Sequence, residues 1–263
     1  MLIIDAHAHI YPEKVAEKAT KAIGGFYGLP MEAERGSAET LLKNGRTAGV
    51  SKYIVHSVAM SVEKVSAINA FLLREIENHP EFVGFITLHP DMDAENVKRE
   101  ISWGIDNGFK GIKMHPDFQR FNADDKKMKH IYDAAAGKLP VLLHAGDIRY
   151  EFSRPERIAR VAAEYPDLKI IAAHFGGYQR WDETDCYIGL KNVYFDTSSS
   201  LAIIGSAEAK RLINKLGAEK FFFGVDFPMW NTAKELERFM DIDLTAGERR
   251  KILSENIAGL LDI

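Results

Sequence analysis

Histidine and aspartate side chains stand at the ends of several apolar runs in this sequence, where they are suited to binding a metal ion. The first run, LIIDAHAHI at residues 2–10, carries His7 and His9 one residue apart. Side chains alternate along a strand, so both rings share a face and can reach one ion. Asp5 lies one step deeper on that face, where it is better placed to orient a ring or a backbone group than to bind the ion.

Later apolar runs end on residues of the same kind, namely His115, His144, His174 and Asp226. If these runs are parallel strands of one barrel, their carboxyl ends meet and the side chains converge on a small volume. Burying imidazoles with a carboxylate costs free energy unless the groups are paired, and a divalent cation supplies that pairing. Neutral imidazole and carboxylate oxygen suit zinc, manganese or iron, so the pattern predicts a catalytic metal site.

Eight apolar, β-branched runs predict the strands that would position these residues. They lie at 2–9, 52–59, 82–89, 109–115, 140–146, 169–176, 193–199 and 220–226. Helical periodicity separates them and is clearest at 95–108, 154–166, 206–217 and 245–261, where Thr245 is a plausible N-cap. Alternation of helices with continuously apolar strands predicts a parallel sheet, and eight such units predict a closed (β/α)8 TIM barrel, one domain over 1–263.

The first connection, residues 10–51, is too long for one simple βα unit. Within it lies the glycine-rich stretch AIGGFYGLPMEAERGS at 22–37. We interpret this stretch as a long loop insertion after strand 1, either a lid over the barrel mouth or a plain surface loop. His56 and His89, in or at strands two and three, are interpreted as core residues or as supports for the metal ligands.

Composition and charge indicate which partners and which cellular compartment to expect for this protein. The chain has 263 residues, 46% of them hydrophobic, and a net charge of −4, which gives no electrostatic case for nucleic acid or an anionic membrane. Its one cysteine, Cys186, excludes an internal disulfide and favours a reducing compartment. Without a signal-peptide pattern or a membrane-spanning run, we expect a cytoplasmic protein acting on a small molecule. Exposed apolar helix faces would be compatible with a homodimer.

The motifs DAHAH, VLLHAG, IAAHFGG and FGVDFP occur in this order along the chain. This series resembles the amidohydrolase superfamily, in particular the amidohydrolase-related branch that includes aminocarboxymuconate-semialdehyde decarboxylase and the resorcylate-type decarboxylases. The resemblance covers the whole chain and implies a barrel of the metal-dependent hydrolase type. It implies that His7, His9, His144 and Asp226 bind a divalent metal, with Zn²⁺ expected and Mn²⁺ or Fe²⁺ as alternatives. It also implies that Asp226 transfers a proton, and that His174 positions or deprotonates water or polarises the substrate.

Lys113 leaves two interpretations open. The segment GIKMHP resembles the strand-four KxYP segment of dihydroorotases, where the lysine is carbamylated and bridges two metals. In the other interpretation Lys113 stays cationic and, together with His115, binds an anionic substrate. Arg149, Arg154 and Arg180 lie in or near predicted mouth loops and are further candidates for pairing with such a substrate.

These residues predict a metal-dependent hydrolase that attacks a small amide, lactone or ester with metal-activated water. The alternative is a metal-dependent, non-oxidative decarboxylase of a small aromatic or unsaturated carboxylic acid. A TatD-like nuclease is disfavoured, because that family places a metal-binding glutamate at strand four, where this chain has Lys113. A non-enzymatic barrel is disfavoured too, since it gives no reason to bury these polar groups together.

Overall fold

The computed structural model describes residues 2–263, and eight β-strands run through them in the predicted order. They are β1 (Ile4–His9), β2 (Lys52–His56), β3 (Phe82–Thr87), β4 (Gly111–Met114), β5 (Val141–Leu143), β6 (Ile170–Ala172), β7 (Val193–Asp196) and β8 (Phe221–Phe222). The strands form one sheet in chain order, and neighbours pair in parallel, as where Ile112 lies opposite Val141. Every residue of β1, β3, β4, β5 and β6 is buried, which explains why apolar residues predominate in these runs.

The segment that follows β8 returns to β1 and closes the sheet. The amide N–H of Ala6 donates to the carbonyl of Phe223 at 2.8 Å, and the amide N–H of His9 donates to the carbonyl of Phe227 at 2.8 Å. Ala8 and Phe227 form a parallel bridge between the same two segments. The fold is therefore a (β/α)8 TIM barrel, as the sequence predicts.

Helices alternate with these strands. They are α1 (Glu13–Tyr27), α2 (Ala38–Ala48), α3 (Val65–Asn78), α4 (Ala94–Asp106), α5 (Pro116–Gln119), α6 (Lys129–Ala135), α7 (Pro155–Glu164), α8 (Leu201–Leu216), α9 (Thr232–Met240), α10 (Ala246–Arg250) and α11 (Asn256–Leu261). A π-helical turn at Lys251–Glu255 joins α10 to α11. Thr245 is the N-cap of α10 as predicted: its hydroxyl accepts the N–H of Glu248 at 3.2 Å, and Glu248 accepts the N–H of Thr245 at 2.7 Å.

The strands after β1 end earlier than the sequence predicts, and His115, His144, His174 and Asp226 lie just beyond strand ends. β5 ends before His144, β6 before His174 and β8 before Asp226. His174 has a φ of 61° and Asp226 a φ of 66°. These left-handed values are incompatible with an extended strand, so the chain turns at the residues that the sequence places at strand ends.

The long loop expected after strand 1 is not confirmed. Its first part, residues 22–27, belongs to α1, which ends at Gly28 with a φ of 66°, and the rest joins α1 to α2. This connection lies on the segment after β8, since Glu32 donates its amide N–H to the carbonyl of Met229 at 3.0 Å. Ala33 donates in the same way to Pro228 at 3.2 Å.

Contacts divide the described residues into two compact units. The first contains the described residues through Ser57 together with Glu75–Val83 and Thr197–Ile263, and the second contains Val58–Arg74 and Gly84–Asp196. A single domain over 1–263 stays a prediction. Among residues 2–263, the helices are all too short or too polar to cross a membrane.

The buried carboxyl of Glu235 in α9 should make the stability of the protein depend on pH. Its side chain is fully buried beside Arg238, and burial raises the pKa of its carboxyl from 4.5 to about 7. As pH rises from 4.5 to 7, the unfolded chain releases this proton while the folded chain keeps it, so stability falls across that window. Glu235→Gln cannot ionise, so its stability relative to the wild type should improve between pH 5 and pH 8 by on the order of 2–3 kcal/mol.

Thermal unfolding of both proteins at the two pH values measures this change. Glu237→Gln is the matched control, because Glu237 is exposed on the same helix. A Glu235→Gln advantage that is the same at pH 5 and pH 8 would contradict the prediction.

Candidate metal centre

In the first unit, His7, His9, His56 and Asp226 lie together and are called here the Asp226 cluster. His7 Nε2 lies 3.5 Å from Asp226 Oδ1, and His9 Nε2 lies 3.6 Å from the same oxygen. The ring of His56 packs edge-on against both other rings, with centroid distances of 4.8 Å to His7 and 4.4 Å to His9. All four side chains are buried, so the cluster is a concentrated set of possible ligands away from bulk water.

The spacing of the donor atoms fits a metal ion. Ligand atoms bound at 2.0–2.1 Å around a tetrahedral ion stand about 3.4 Å apart. Asp226 Oδ1 lies at almost this separation from both His7 Nε2 and His9 Nε2. His7, His9 and His56 also offer ring nitrogens that all lie within 4.8 Å of one another. The two imidazole–carboxylate distances and the ligand types are therefore those that suit a divalent cation.

Neighbouring groups orient the two histidines of β1. Ser198 Oγ lies 3.2 Å from His7 Nδ1, so a proton on Nδ1 can be donated to this hydroxyl, which leaves the Nε2 lone pair for an ion. Asp5 Oδ1 accepts the amide N–H groups of His7 and Val225, both at 3.0 Å. The prediction that Asp5 orients a backbone group is thereby confirmed.

In the second unit, His115, Asp117, His144 and His174 form another buried group, called here the Asp117 cluster. His144 Nδ1 lies 2.9 Å from His174 Nε2, which is hydrogen-bond distance, and His144 Nε2 lies 3.3 Å from Asp117 Oδ2. The rings of His115 and His144 stack with centroids 4.0 Å apart. The backbone of His174 is fixed by a hydrogen bond, in which its amide N–H donates to Asp196 Oδ1 at 3.0 Å.

Asp117 is the carboxylic acid of this second group. Burial raises the pKa of its carboxyl to about 7, against the lowering effect of the hydrogen bond from Ser153. Ser153 Oγ donates to Asp117 Oδ2 at 2.5 Å, while Asp117 Oδ1 is buried with no hydrogen-bond partner among the described residues. Such a carboxyl can share a proton with the adjoining imidazoles.

The three groups His115, Asp117 and His144 also lie close enough to hold an ion. However, His115 Nδ1 accepts the amide N–H of Phe118 at 3.2 Å. A neutral imidazole that accepts at Nδ1 carries its proton on Nε2, where it donates a hydrogen bond rather than binding a metal. The Asp117 cluster is thus better suited to hydrogen bonding than to metal binding through His115.

The cationic candidates differ sharply in environment. Lys113 is fully buried in β4, whereas the arginines predicted near the mouth are bound to carboxylates. Arg149 pairs with Asp147 at 2.6 Å. The remaining two pair with glutamates: Arg154 with Glu151 and Glu183 at 3.1 and 3.2 Å, and Arg180 with Glu151 and Glu183 at 2.9 and 2.8 Å. These ion pairs weaken the case that the three arginines bind substrate.

The structure brings the predicted site residues together in two sets. His7, His9 and Asp226 meet in the first unit, and His115, His144 and His174 meet in the second. Sequence reasoning missed Asp117, Ser153 and the serines after β7. The only available signals were the position of Asp117 two residues after a strand-end histidine and the run of three serines at 198–200.

A family model described as amidohydrolase matches residues 4–263. The chain belongs to the amidohydrolase family. The resemblance inferred from the four ordered motifs is thereby confirmed over nearly the whole chain. A search of curated proteins found no match to this sequence.

Solved structures share the fold of this chain over essentially its full length. A TIM-barrel protein from Bordetella bronchiseptica is 18% identical with a TM-score of 0.83, covering 100% of this chain and 99% of that chain. A 2,6-dihydroxybenzoate decarboxylase, solved with 2,6-dihydroxybenzoate, is 18% identical with a TM-score of 0.75 and covers 100% of both chains. A 5-carboxyvanillate decarboxylase from Novosphingobium aromaticivorans, solved with manganese, is 17% identical with a TM-score of 0.77, covering 100% of this chain and 96% of that chain.

Proposed function

We propose that this amidohydrolase-family protein is a metal-dependent, non-oxidative decarboxylase of a small aromatic or unsaturated carboxylic acid. The observation that carries the proposal is the Asp226 cluster, in which two imidazole nitrogens lie 3.5 and 3.6 Å from one carboxylate oxygen. The shared fold with two decarboxylases whose names specify small aromatic carboxylates supports it. This favours the alternative drawn from the sequence over hydrolysis of an amide, lactone or ester.

The proposed metal ligands are His7, His9 and Asp226, with His144 added by its place in the family motif VLLHAG. Imidazole and carboxylate ligands suit several first-row divalent ions. Manganese is our first choice, because it is the ion present in the 5-carboxyvanillate decarboxylase of the same fold. Zinc, the ion expected from the sequence, is the second.

The chemistry supplied by a bound divalent ion is Lewis-acid charge beside the substrate carboxylate and a neighbouring oxygen. In the proposed reaction Asp226 takes up a proton from solvent before turnover and delivers it to the carbon that bears the carboxylate. The bond between that carbon and the carboxylate then breaks, its electron pair returns to the ring or alkene, and carbon dioxide leaves. His174 orients the substrate, and its ring is held by His144 at 2.9 Å.

Product analysis separates decarboxylation from hydrolysis. Manganese-loaded protein would be incubated with 2,6-dihydroxybenzoate and 5-carboxyvanillate carrying an isotope-labelled carboxyl group, and in parallel with a panel of small lactones, esters and amides. Release of labelled carbon dioxide from a carboxylic acid is the expected result. Turnover confined to the lactone, ester or amide panel would replace the proposal with hydrolysis.

Lys113 is proposed to pair with the substrate carboxylate, because it is a fully buried cation on β4, two residues before His115. Lys113→Met keeps the apolar stem and removes the charge. Loss of a hydrogen bond to a charged group should raise KM about ten- to a hundredfold, with a smaller change in kcat. Steady-state decarboxylation kinetics measure this split.

The competing carbamate interpretation of Lys113 makes a different prediction. A carbamylated lysine would be a metal ligand, so Lys113→Met would then lower the metal content as well as the rate. Unchanged metal content with a raised KM supports substrate binding, and reduced metal content overturns it. Lys110→Met, on the same segment but partly exposed, is the control.

A further inference from the structure

Ser199 and Trp230 form a hydrogen-bonded pair behind Asp226. Ser199 Oγ lies 2.5 Å from Asp226 Oδ2, and Trp230 Nε1 lies 2.9 Å from Ser199 Oγ. Ser199 is buried and follows β7, whereas Trp230 is partly exposed and follows β8. The two residues are separate from the proposed ligands, and neither the family motifs nor the sequence pattern assigns them a role in metal binding.

The chemistry of the three groups fixes the direction of both hydrogen bonds. An indole N–H only donates and an ionised carboxylate only accepts. Trp230 must therefore donate to Ser199 Oγ, and Ser199 must donate its one hydroxyl proton to Asp226 Oδ2. A hydroxyl held in this way has a single orientation, so Oδ2 is occupied by a directed hydrogen bond.

The other oxygen of the same carboxylate faces the histidines. Asp226 Oδ1 lies 3.5 Å from His7 Nε2 and 3.6 Å from His9 Nε2. A carboxylate with both oxygens free can bind an ion through either or both of them. Because Oδ2 accepts the Ser199 hydroxyl and Oδ1 faces the histidines, the hydrogen bond favours binding of an ion through Oδ1.

The backbone is strained at both Ser199 and Asp226. Ser199 has a φ of 50° and Asp226 a φ of 66°, both left-handed values for residues with a Cβ. The amide N–H of Asp226 donates to the carbonyl of His7 at 2.8 Å, and its carbonyl accepts from Met229 at 2.9 Å. A strained backbone conformation persists where surrounding contacts hold it in place, and the two backbone hydrogen bonds of Asp226 do so here.

We propose that Ser199, anchored by Trp230, is a positioning residue that holds Asp226 for single-oxygen metal binding. This inference rests on the proposed metal centre. Groups that orient metal ligands typically change metal affinity about 10- to 100-fold when they are removed. Ser199 acts through Asp226 and is not itself a ligand.

The test compares the dissociation constant for Mn²⁺, measured by competition with a chromophoric chelator, across a set of full-length variants. Ser199→Ala keeps the Cβ and therefore the backbone strain, and it should weaken Mn²⁺ binding about 10- to 100-fold. Trp230→Phe removes only the anchoring N–H and should weaken binding to a lesser degree. Ser200→Ala is the control, because the Ser200 hydroxyl donates to the carbonyl of Ser198 at 2.9 Å rather than to Asp226.

A second readout needs no metal. The indole N–H resonance of Trp230, assigned by its loss in Trp230→Phe, should shift in metal-free Ser199→Ala and stay in place in Ser200→Ala. Mn²⁺ binding by Ser199→Ala equal to that of the wild type would overturn the inference alone. Failure of the wild type to bind Mn²⁺ or Zn²⁺ would overturn the proposed function and this inference together.

Discussion

Asp226→Asn is expected to lower the decarboxylation rate constant by about 10²- to 10⁴-fold, the range that a positioned acid or base contributes. The carboxamide cannot carry the transferred proton, and it is a weaker partner for a cation facing His7 and His9. Because the amide is nearly the same size, the cluster at 3.5 and 3.6 Å should keep its packing. The rate should be measured in single turnovers at saturating Mn²⁺, with bound metal determined on the same sample.

Measuring bound metal separates the two roles of Asp226. A slow variant that still holds the ion has lost the proton carrier, whereas a slow variant without the ion has lost a ligand. Asp243→Asn, an exposed aspartate in the same unit, should behave as the wild type. An Asp226→Asn protein that decarboxylates at the wild-type rate would remove Asp226 from the mechanism.

Removal of the metal is expected to have the second large effect. Protein purified without chelators should hold about one divalent ion per chain, and His9→Ala should lose most of it, since catalytic sites use about three protein ligands. Dialysis against a chelator should abolish activity and lower the melting temperature. At a free-ion concentration of about 100 times Kd, the ion stabilises the folded state by about 2.7 kcal/mol, or roughly 5–10 °C.

The matched control for His9→Ala is His130→Ala. His130 lies in the second unit, where its Nε2 is 2.8 Å from the carbonyl of Met92, and it belongs to neither histidine cluster. Its substitution should leave metal content unchanged. About two ions per chain would instead support the interpretation that Lys113 is carbamylated, because a bridging carbamate binds both ions of a two-metal site. Protein that takes up none on reconstitution would contradict the proposed mechanism.

The barrel could be predicted from the sequence because its signal is carried by many residues at once. Six of the eight described strands are buried completely, among them residues 82–87 and 141–143. Helical periodicity and capping added independent support, as Thr245 and Glu248 illustrate. The positions of His7, His9 and Asp226 then followed from barrel topology, since strand ends meet at one face.

The interpretation of the first connection as a long loop rested on its glycine-rich stretch, but residues 22–27 of that stretch belong to α1. Ala16, Thr20 and Gly24 are buried at a spacing of four residues along α1, which is a helical pattern. A Cβ at Gly24 would lie 3.0 Å from the carbonyl oxygen of Leu29 and 3.1 Å from Met31 Cγ. Gly24 is therefore explained by the close approach of a neighbouring segment rather than by flexibility.

The hydrogen-bonding residues around the proposed site could not be predicted from the sequence. Ser199 reaches Asp226 only because both residues adopt left-handed backbone conformations in separate loops, with φ values of 50° and 66°. Asp117 reaches His144 through a short helix that starts directly after His115. Neither contact leaves a periodic pattern, and serine and aspartate are common in loops for other reasons.

Closure of the barrel between β1 and the segment after β8 has a consequence for biosynthesis. Asp5 accepts a hydrogen bond from Val225, which lies 220 positions further along the chain, and the proposed ligands His7 and Asp226 are almost as far apart. During translation the first strand leaves the ribosome long before its partner has been made. Binding of the proposed ion must therefore wait until the segment that carries Asp226 has been made, and a chain arrested before that point would carry His7 and His9 without the rest of the proposed ligands.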